Sequence, residues 1–173
     1  MASVPPLGAP YLRRPTVPLL PPIIQGRTHT LVLDLDETLL HCSTTPMQNA
    51  SLAFSVDFNG TRFDIYGNLR PGVHRFLRKV AQVYEVVIFT ASQQVYAERV
   101  LQALDPSATL IAHVLHRDHC VPVLGNYLKD LSSLGRDLRR TLIVDNAPQA
   151  FSYHPANGLP IRSWYDDPSD RAL

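Results

Sequence analysis

Asp34 and Asp36 stand one residue apart where an apolar run, Thr30-Leu-Val-Leu-Asp-Leu35, gives way to acids. Such a run ended by carboxylates has the pattern of a strand buried on both faces, and residues one apart along it share a face. Two like charges brought together out of water need a cation or a shared proton. A hard magnesium ion held by one or two carboxylates plus phosphate oxygens would satisfy them. A polar strand end with solvated acids satisfies the pair equally well, so the spacing alone leaves both readings open.

The surrounding elements decide whether the acids sit in a site. Apolar runs recur at Glu85-Val-Val-Ile-Phe-Thr90 and Thr141-Leu-Ile-Val-Asp145. Between the first two, Val73, Phe76, Leu77, Val80 and Tyr84 fall on one helical stripe. A second helix is predicted after Ser92, with Tyr96, Val100, Leu101 and Leu104 inward and Pro106 ending it. Strands alternating with helices pair in parallel through right-handed crossovers. The expected fold class is therefore α/β, with a doubly wound, mostly parallel sheet whose carboxyl ends carry Asp34, Thr90 and Asp145. Residues of about 50–67 interrupt that pattern as a predicted hairpin. There Leu52, Phe54, Val56 and Phe58 alternate, Asn59-Gly60 makes a tight turn, and Phe63 and Ile65 alternate back.

A length of 173 residues with 45% apolar and 18% charged residues suits one domain with a sizeable core. Prolines at 5, 6, 10, 15, 18, 21 and 22 exclude helix and central strand from the first residues. We therefore divide the chain into an extended proline-rich arm, 1–26, and a folded domain, 27–173. The arm reads as a linker or a strap on the domain, although its PxxP patterns at Pro15–Pro18 and Pro18–Pro21 could dock an aromatic groove. A net charge of +1 gives no basic excess for nucleic acid, and no direct nucleic-acid binding is expected. Prolines break every apolar stretch before Arg27, and no stretch approaches the length of a membrane span. Cys42 and Cys120 read as reduced thiols, which implies a nuclear or cytoplasmic setting.

The string Leu31-Val-Leu-Asp-Leu-Asp-Glu-Thr-Leu-Leu-His41 resembles the haloacid dehalogenase superfamily, and within it the small C-terminal-domain phosphatases of the FCP/SCP group. Further matches follow in order: Arg70-Pro-Gly-Val73, Phe89-Thr-Ala-Ser92, Gly125-Asn-Tyr-Leu-Lys-Asp-Leu-Ser132, Gly135-Arg-Asp-Leu-Arg-Arg140, Val144-Asp-Asn-Ala-Pro148, His154-Pro155 and Ser163-Trp164. The resemblance implies a Rossmannoid domain with a hairpin cap and a magnesium-dependent protein serine/threonine phosphatase. By that likeness Asp34 is the nucleophile that becomes an aspartyl phosphate, and Asp36 is the general acid and then the base. Thr38 would orient Asp36 through its hydroxyl, while Thr90 and Lys129 would stabilise the phosphoryl group. Magnesium would be held by Asp34, the Asp36 carbonyl and Asn146, with Asp145 in close support.

The same resemblance puts Arg117 beside the substrate phosphate, and Val56, Phe58, Ile65 and Tyr96 on an apolar surface for a proline next to the phosphoserine. Thr44 and Gln93 stand where the polymerase-tail phosphatases carry phenylalanine and leucine, so a polar group replaces an apolar contact at each. The implied partner is a phosphorylated protein, with the RNA polymerase II tail one candidate, and the expected state is a monomer. Two alternatives accompany this reading. One is a phosphoprotein-binding module like the mitochondrial import receptor of related fold. The other is a phosphatase of lipid-metabolism regulators of the Dullard group, which the segment from Ser163 resembles. His113, His116, His119 and Cys120 lie near enough in sequence for zinc, but a strand running into a loop scatters them over two faces. Arg136, Arg139 and Arg140 are expected to form ion pairs.

Overall fold

A computed structural model describes residues 17–23 and 26–173. Its central sheet is built from strands β1 (Thr30–Leu33), β5 (Glu85–Phe89), β6 (His113–Leu115), β9 (Thr141–Asp145) and β10 (Gly158–Pro160), all parallel, in the order β10-β9-β1-β5-β6. The chain begins in the middle, winds to one edge through β5 and β6, then returns to the other side of β1 for β9. The reversal between β1 and β9 leaves a crevice beyond their carboxyl ends, where open α/β sheets bind ligands. Register brings Leu33 level with Ile88 and Val144, so the next residue, Asp34, emerges beside the end of β9 and donates its amide to the Val144 carbonyl at 2.9 Å.

Alternate residues of these strands supply two cores. Leu31, Leu33, Val86 and Ile88 meet the helices α1 (Val73–Val80) and α2 (Gln94–Leu104) through Val73, Leu77, Ala97, Val100 and Leu104. The opposite face, with Val32, Val87, Phe89 and Ile143, is covered by short 3₁₀ turns through Leu131, Leu134 and Phe151, and by Leu20. Burying each such side chain contributes about 1.5–3 kcal/mol. Leu20 is thus a core residue of the domain, and Leu19 donates its amide to the Ser133 carbonyl at 2.9 Å, so residues 17–23 lie on the domain as a strap. The arm through residue 16, including Pro15 of the first PxxP, lies outside the described residues.

The predicted hairpin is present as β3 (Leu52–Phe58) and β4 (Thr61–Leu69), joined at Asn59 (φ 51°) and Gly60 (φ 76°). Both turn residues are left-handed, as a two-residue turn that follows the strand twist requires. A third strand, β2 (Leu40–Ser43), pairs with β4 on its other side, making an antiparallel sheet of order β2-β4-β3. The cap is therefore stitched directly to the loop that carries the acids. A smaller hairpin, β7 (Val121–Val123) with β8 (Asn126–Leu128), delivers Lys129 to the crevice. Arg136 pairs with the buried Glu85 through two contacts of 2.7 Å, whereas Arg139 pairs at the surface with Asp137. Among the described residues no helix is long and apolar enough to cross a membrane.

Candidate active site

The strand ends and the turn after β1 bring four acids, Asp34, Asp36, Glu37 and Asp145, and a lysine into one cleft of about 340 Å³. Lys129 is buried, and its Nζ donates to Asp34 Oδ1 and Asp145 Oδ2 at 2.6 Å each. Burial alone would favour the neutral amine, but the two carboxylates outweigh it and hold the Lys129 pKa above its usual value. An ammonium has three donors, so one remains for a group entering the cleft. Asp145 Oδ1 accepts from the Ala147 amide at 2.8 Å, which fixes that carboxylate against β9.

Asp36 has different neighbours. Its Oδ1 accepts from the Tyr96 hydroxyl at 2.5 Å and its Oδ2 from Ser92 Oγ at 2.7 Å, with Thr90 Oγ1 farther off at 3.5 Å. Burial pushes the Asp36 pKa up, and the charges of Asp34 and Glu37 add to it; the Tyr96 and Ser92 hydrogen bonds pull the other way without prevailing. A carboxyl that keeps its proton to higher pH thus stands beside one hydrogen-bonded to an ammonium, and the two acids have unlike surroundings suited to unlike roles.

Thr38 departs from the expectation that it orients Asp36. Its hydroxyl donates to Asp34 Oδ2 at 2.9 Å and lies 3.4 Å from Asn146 Oδ1. The chain reverses at Glu37, which is left-handed at φ 57°, and the Leu39 amide then donates to the Leu35 carbonyl. That turn folds Thr38 back beneath Asp34, leaving Asp36 to Ser92 and Tyr96. Asn146 donates its amide nitrogen to Ser163 Oγ at 2.9 Å, so its oxygen faces Asp34. Asp34 Oδ2 and Asn146 Oδ1 thus converge on one hydroxyl, a hard oxygen set around a net negative cluster, which fits magnesium.

A second cleft, about 560 Å³, adjoins the first and shares Asp36, Glu37, Ser92 and Arg117 with it. Ile65, Tyr96, Thr44 and Gln93 line it, as the likeness suggested, and so does Phe63, which the sequence reading did not assign to substrate. Val56 and Phe58 do not line it. The cleft lies over β2 and β4, and both of those residues belong to β3, one strand farther away. Tyr96 serves two purposes, since its ring packs at 6.2 Å from Phe54 while its hydroxyl holds Asp36. The helical spacing of Tyr96, Val100, Leu101 and Leu104 identified the inward ring, but the hydroxyl's partner depends on how α2 is placed.

Cys42 forms part of this wall, and burial pushes its thiol up to about 11. The Cys120 thiol is likewise pushed up to about 11, chiefly by burial. The histidines divide between opposite ends of β6. His113 lies 3.3 Å from Glu85 at the amino end, whereas the His116 and His119 rings meet edge to face, 4.3 Å apart, beyond the carboxyl end. Among the described residues no group of three His, Cys, Asp or Glu side chains is placed to hold a metal ion.

The chain is 47% identical to "CTD small phosphatase-like protein 3" of Caenorhabditis elegans over 176 residues, covering 100% of this chain and 60% of that protein. It is 44% identical to "Carboxy-terminal domain RNA polymerase II polypeptide A small phosphatase 2" of Homo sapiens over 166 residues, covering 94% of this chain and 61% of that protein. The chain therefore spans about 60% of the length of these two relatives. The fold matches a structure of the fission yeast RNA polymerase II CTD phosphatase Fcp1 bound to beryllium fluoride. The TM-score is 0.69 at 22% identity, over 79% of this chain and 42% of that one. Residues 29–173 match the NLI interacting factor-like phosphatases, and with that match over most of its length the chain belongs to this family.

Proposed function

We propose that the chain is a magnesium-dependent phosphatase of phosphoserine or phosphothreonine in proteins, with Asp34 as a covalent nucleophile. The observation that carries this reading is the unequal treatment of two neighbouring acids. Asp34 is paired with the Lys129 ammonium, while the Asp36 pKa is raised by burial and its carboxyl is cradled by hydroxyls.

In the first step an Asp34 oxygen forms a bond to phosphorus as the bond from phosphorus to the seryl oxygen breaks, and Asp36 gives its proton to that oxygen. In the second step Asp36, now ionised, takes a proton from water. The water oxygen bonds to phosphorus, the acyl phosphate opens, and Asp34 is restored. Lys129 keeps its third donor for a phosphoryl oxygen, and Thr90 offers a hydroxyl from the end of β5. Thr38 and Asp145 fix Asp34 and Lys129 from opposite sides. Magnesium, held by Asp34, the Asp36 carbonyl and Asn146, would neutralise charge gathering on the phosphoryl oxygens.

Ser92 and Tyr96 belong with the machinery because they hold Asp36. Arg117 lies on the wall common to both clefts and suits a doubly charged phosphate. The adjoining cleft accepts the residue beside the phosphoserine, with Ile65, Phe63 and the Tyr96 ring as its apolar part. The names of the relatives make the RNA polymerase II tail the first candidate substrate, a nuclear or cytoplasmic setting agrees with it, and the working unit is a monomer. Magnesium-dependent phosphate release from phosphopeptides with and without proline after the phosphoserine tests the reading, with Asp34→Asn as the blank. No release from any peptide with magnesium present would overturn it.

A further inference from the structure

Arg117 is held by contacts that leave most of its guanidinium unused. Its amide donates to the Ser92 carbonyl at 3.0 Å, and its Nε donates to the Ala91 carbonyl at 2.6 Å. The guanidinium carbon then lies 4.8 Å from the centre of the Tyr127 ring, within the range of a favourable cation–π contact. A guanidinium carries five donors in a rigid fork. Nε uses one, and among the described residues the terminal nitrogens have no carboxylate or carbonyl partner.

The ring comes from β8, the strand that Lys129 directly follows. Tyr127 and Lys129 are two residues apart, so an extended chain turns them to the same side. One short hairpin thus sets an ammonium against Asp34 and an aromatic face against Arg117. Both residues line the phosphate cleft, and Arg117 also borders the neighbouring one. An arginine side chain loses considerable rotamer freedom when it binds an anion. Fixing it beforehand by a ring on one side and a carbonyl at Nε removes part of that cost.

We propose that Tyr127 is a positioning residue that holds the Arg117 guanidinium ready for the substrate's phosphate. This rests on the phosphatase reading given above. The ring face is the operative group, so phenylalanine should replace tyrosine and leucine should not. Leucine keeps apolar bulk beside the core that Tyr127 packs against, which protects the fold.

The test compares Tyr127→Leu, Tyr127→Phe, Arg117→Ala and the Arg117→Ala/Tyr127→Leu double variant in turnover of a phosphopeptide. Tyr127→Leu is expected to raise KM about three- to thirtyfold, the range of a cation–π contact, with kcat nearly unchanged. Tyr127→Phe should match the parent, and the double variant should bind no worse than Arg117→Ala. Unchanged KM in Tyr127→Leu, an equal loss in Tyr127→Phe, or additive losses in the double variant would overturn the proposal. Calorimetric binding of a phosphonate-analogue peptide gives the same comparison without turnover. Parent binding without turnover would defeat the phosphatase reading alone, and the variants would still report on Tyr127. Equal affinity of parent and Tyr127→Leu would defeat the positioning role alone, and absence of binding would defeat both.

Discussion

Tyr96→Phe removes one oxygen and leaves the ring against Phe54, so it isolates the hydrogen bond to Asp36. A hydrogen bond to a charged group is worth about 1.5–3 kcal/mol, and one pKa unit corresponds to about 1.36 kcal/mol. Loss of the 2.5 Å contact should therefore raise the already elevated Asp36 pKa further, because a hydrogen bond that lowers it is removed. The sign separates the two half-reactions. Transfer to Asp34 needs the protonated acid and should proceed as before, whereas hydrolysis of the phosphoenzyme needs the ionised base and should slow about ten- to a hundredfold below the new pKa. Rapid quench with a labelled phosphopeptide should show phosphoenzyme accumulating in the variant. The acid limb of the steady-state profile should move toward higher pH. An unmoved limb, or a loss confined to the first half-reaction, would refute the assignment of Tyr96 to Asp36.

Other variants test separate parts of the account. Lys129→Met should cost about 3–5 kcal/mol in chemical denaturation, because it strands Asp34 and Asp145 as buried carboxylates, and magnesium should restore part of that loss. Glu85 is buried, which alone would raise its pKa, but Arg136 and Thr30 hold it below the usual carboxylate value. Its contribution to stability is therefore present above the unfolded value of 4.5 and is lost as pH falls through the lower folded value. Glu85→Gln should cost about 3–5 kcal/mol at neutral pH and flatten the stability profile below 4.5, as read by denaturant titrations across pH. Phe63→Ala should raise KM for a phosphopeptide severalfold, whereas Phe58→Ala should leave it unchanged, since only the former lines the adjoining cleft.

Much of this was legible in the chain because buried parallel strands write themselves as uninterrupted apolar runs. Thr30–Leu33, Glu85–Phe89 and Thr141–Asp145 each announce a strand that ends on a polar residue or one residue before it, and the sheet's switch point gathers those ends. The Asn59-Gly60 turn was equally plain, since both residues tolerate the left-handed conformation. Strand β2 was not, because four residues directly after the acidic turn carry no alternation long enough to read. Which side chain reaches which acid was also hidden. Thr38 turns beneath Asp34 because of the backbone at Glu37, and Ser92, just before α2, and Tyr96, in its first turn, reach Asp36 across the cleft. The family resemblance put Val56 and Phe58 on one surface with Ile65, yet only the strand order shows that the cleft lies over β2 and β4.

The central claim is that Asp34 carries the phosphoryl group between substrate and water. Intact-protein mass spectrometry after acid quench of a single turnover, with peptide mapping, tests it most directly. The account predicts a mass increment of one phosphoryl group on the peptide containing Asp34, dependent on magnesium and absent in Asp34→Asn. Turnover of the phosphopeptide with no such adduct at any quench time, or phosphate release by Asp34→Asn at the parent rate, would contradict it.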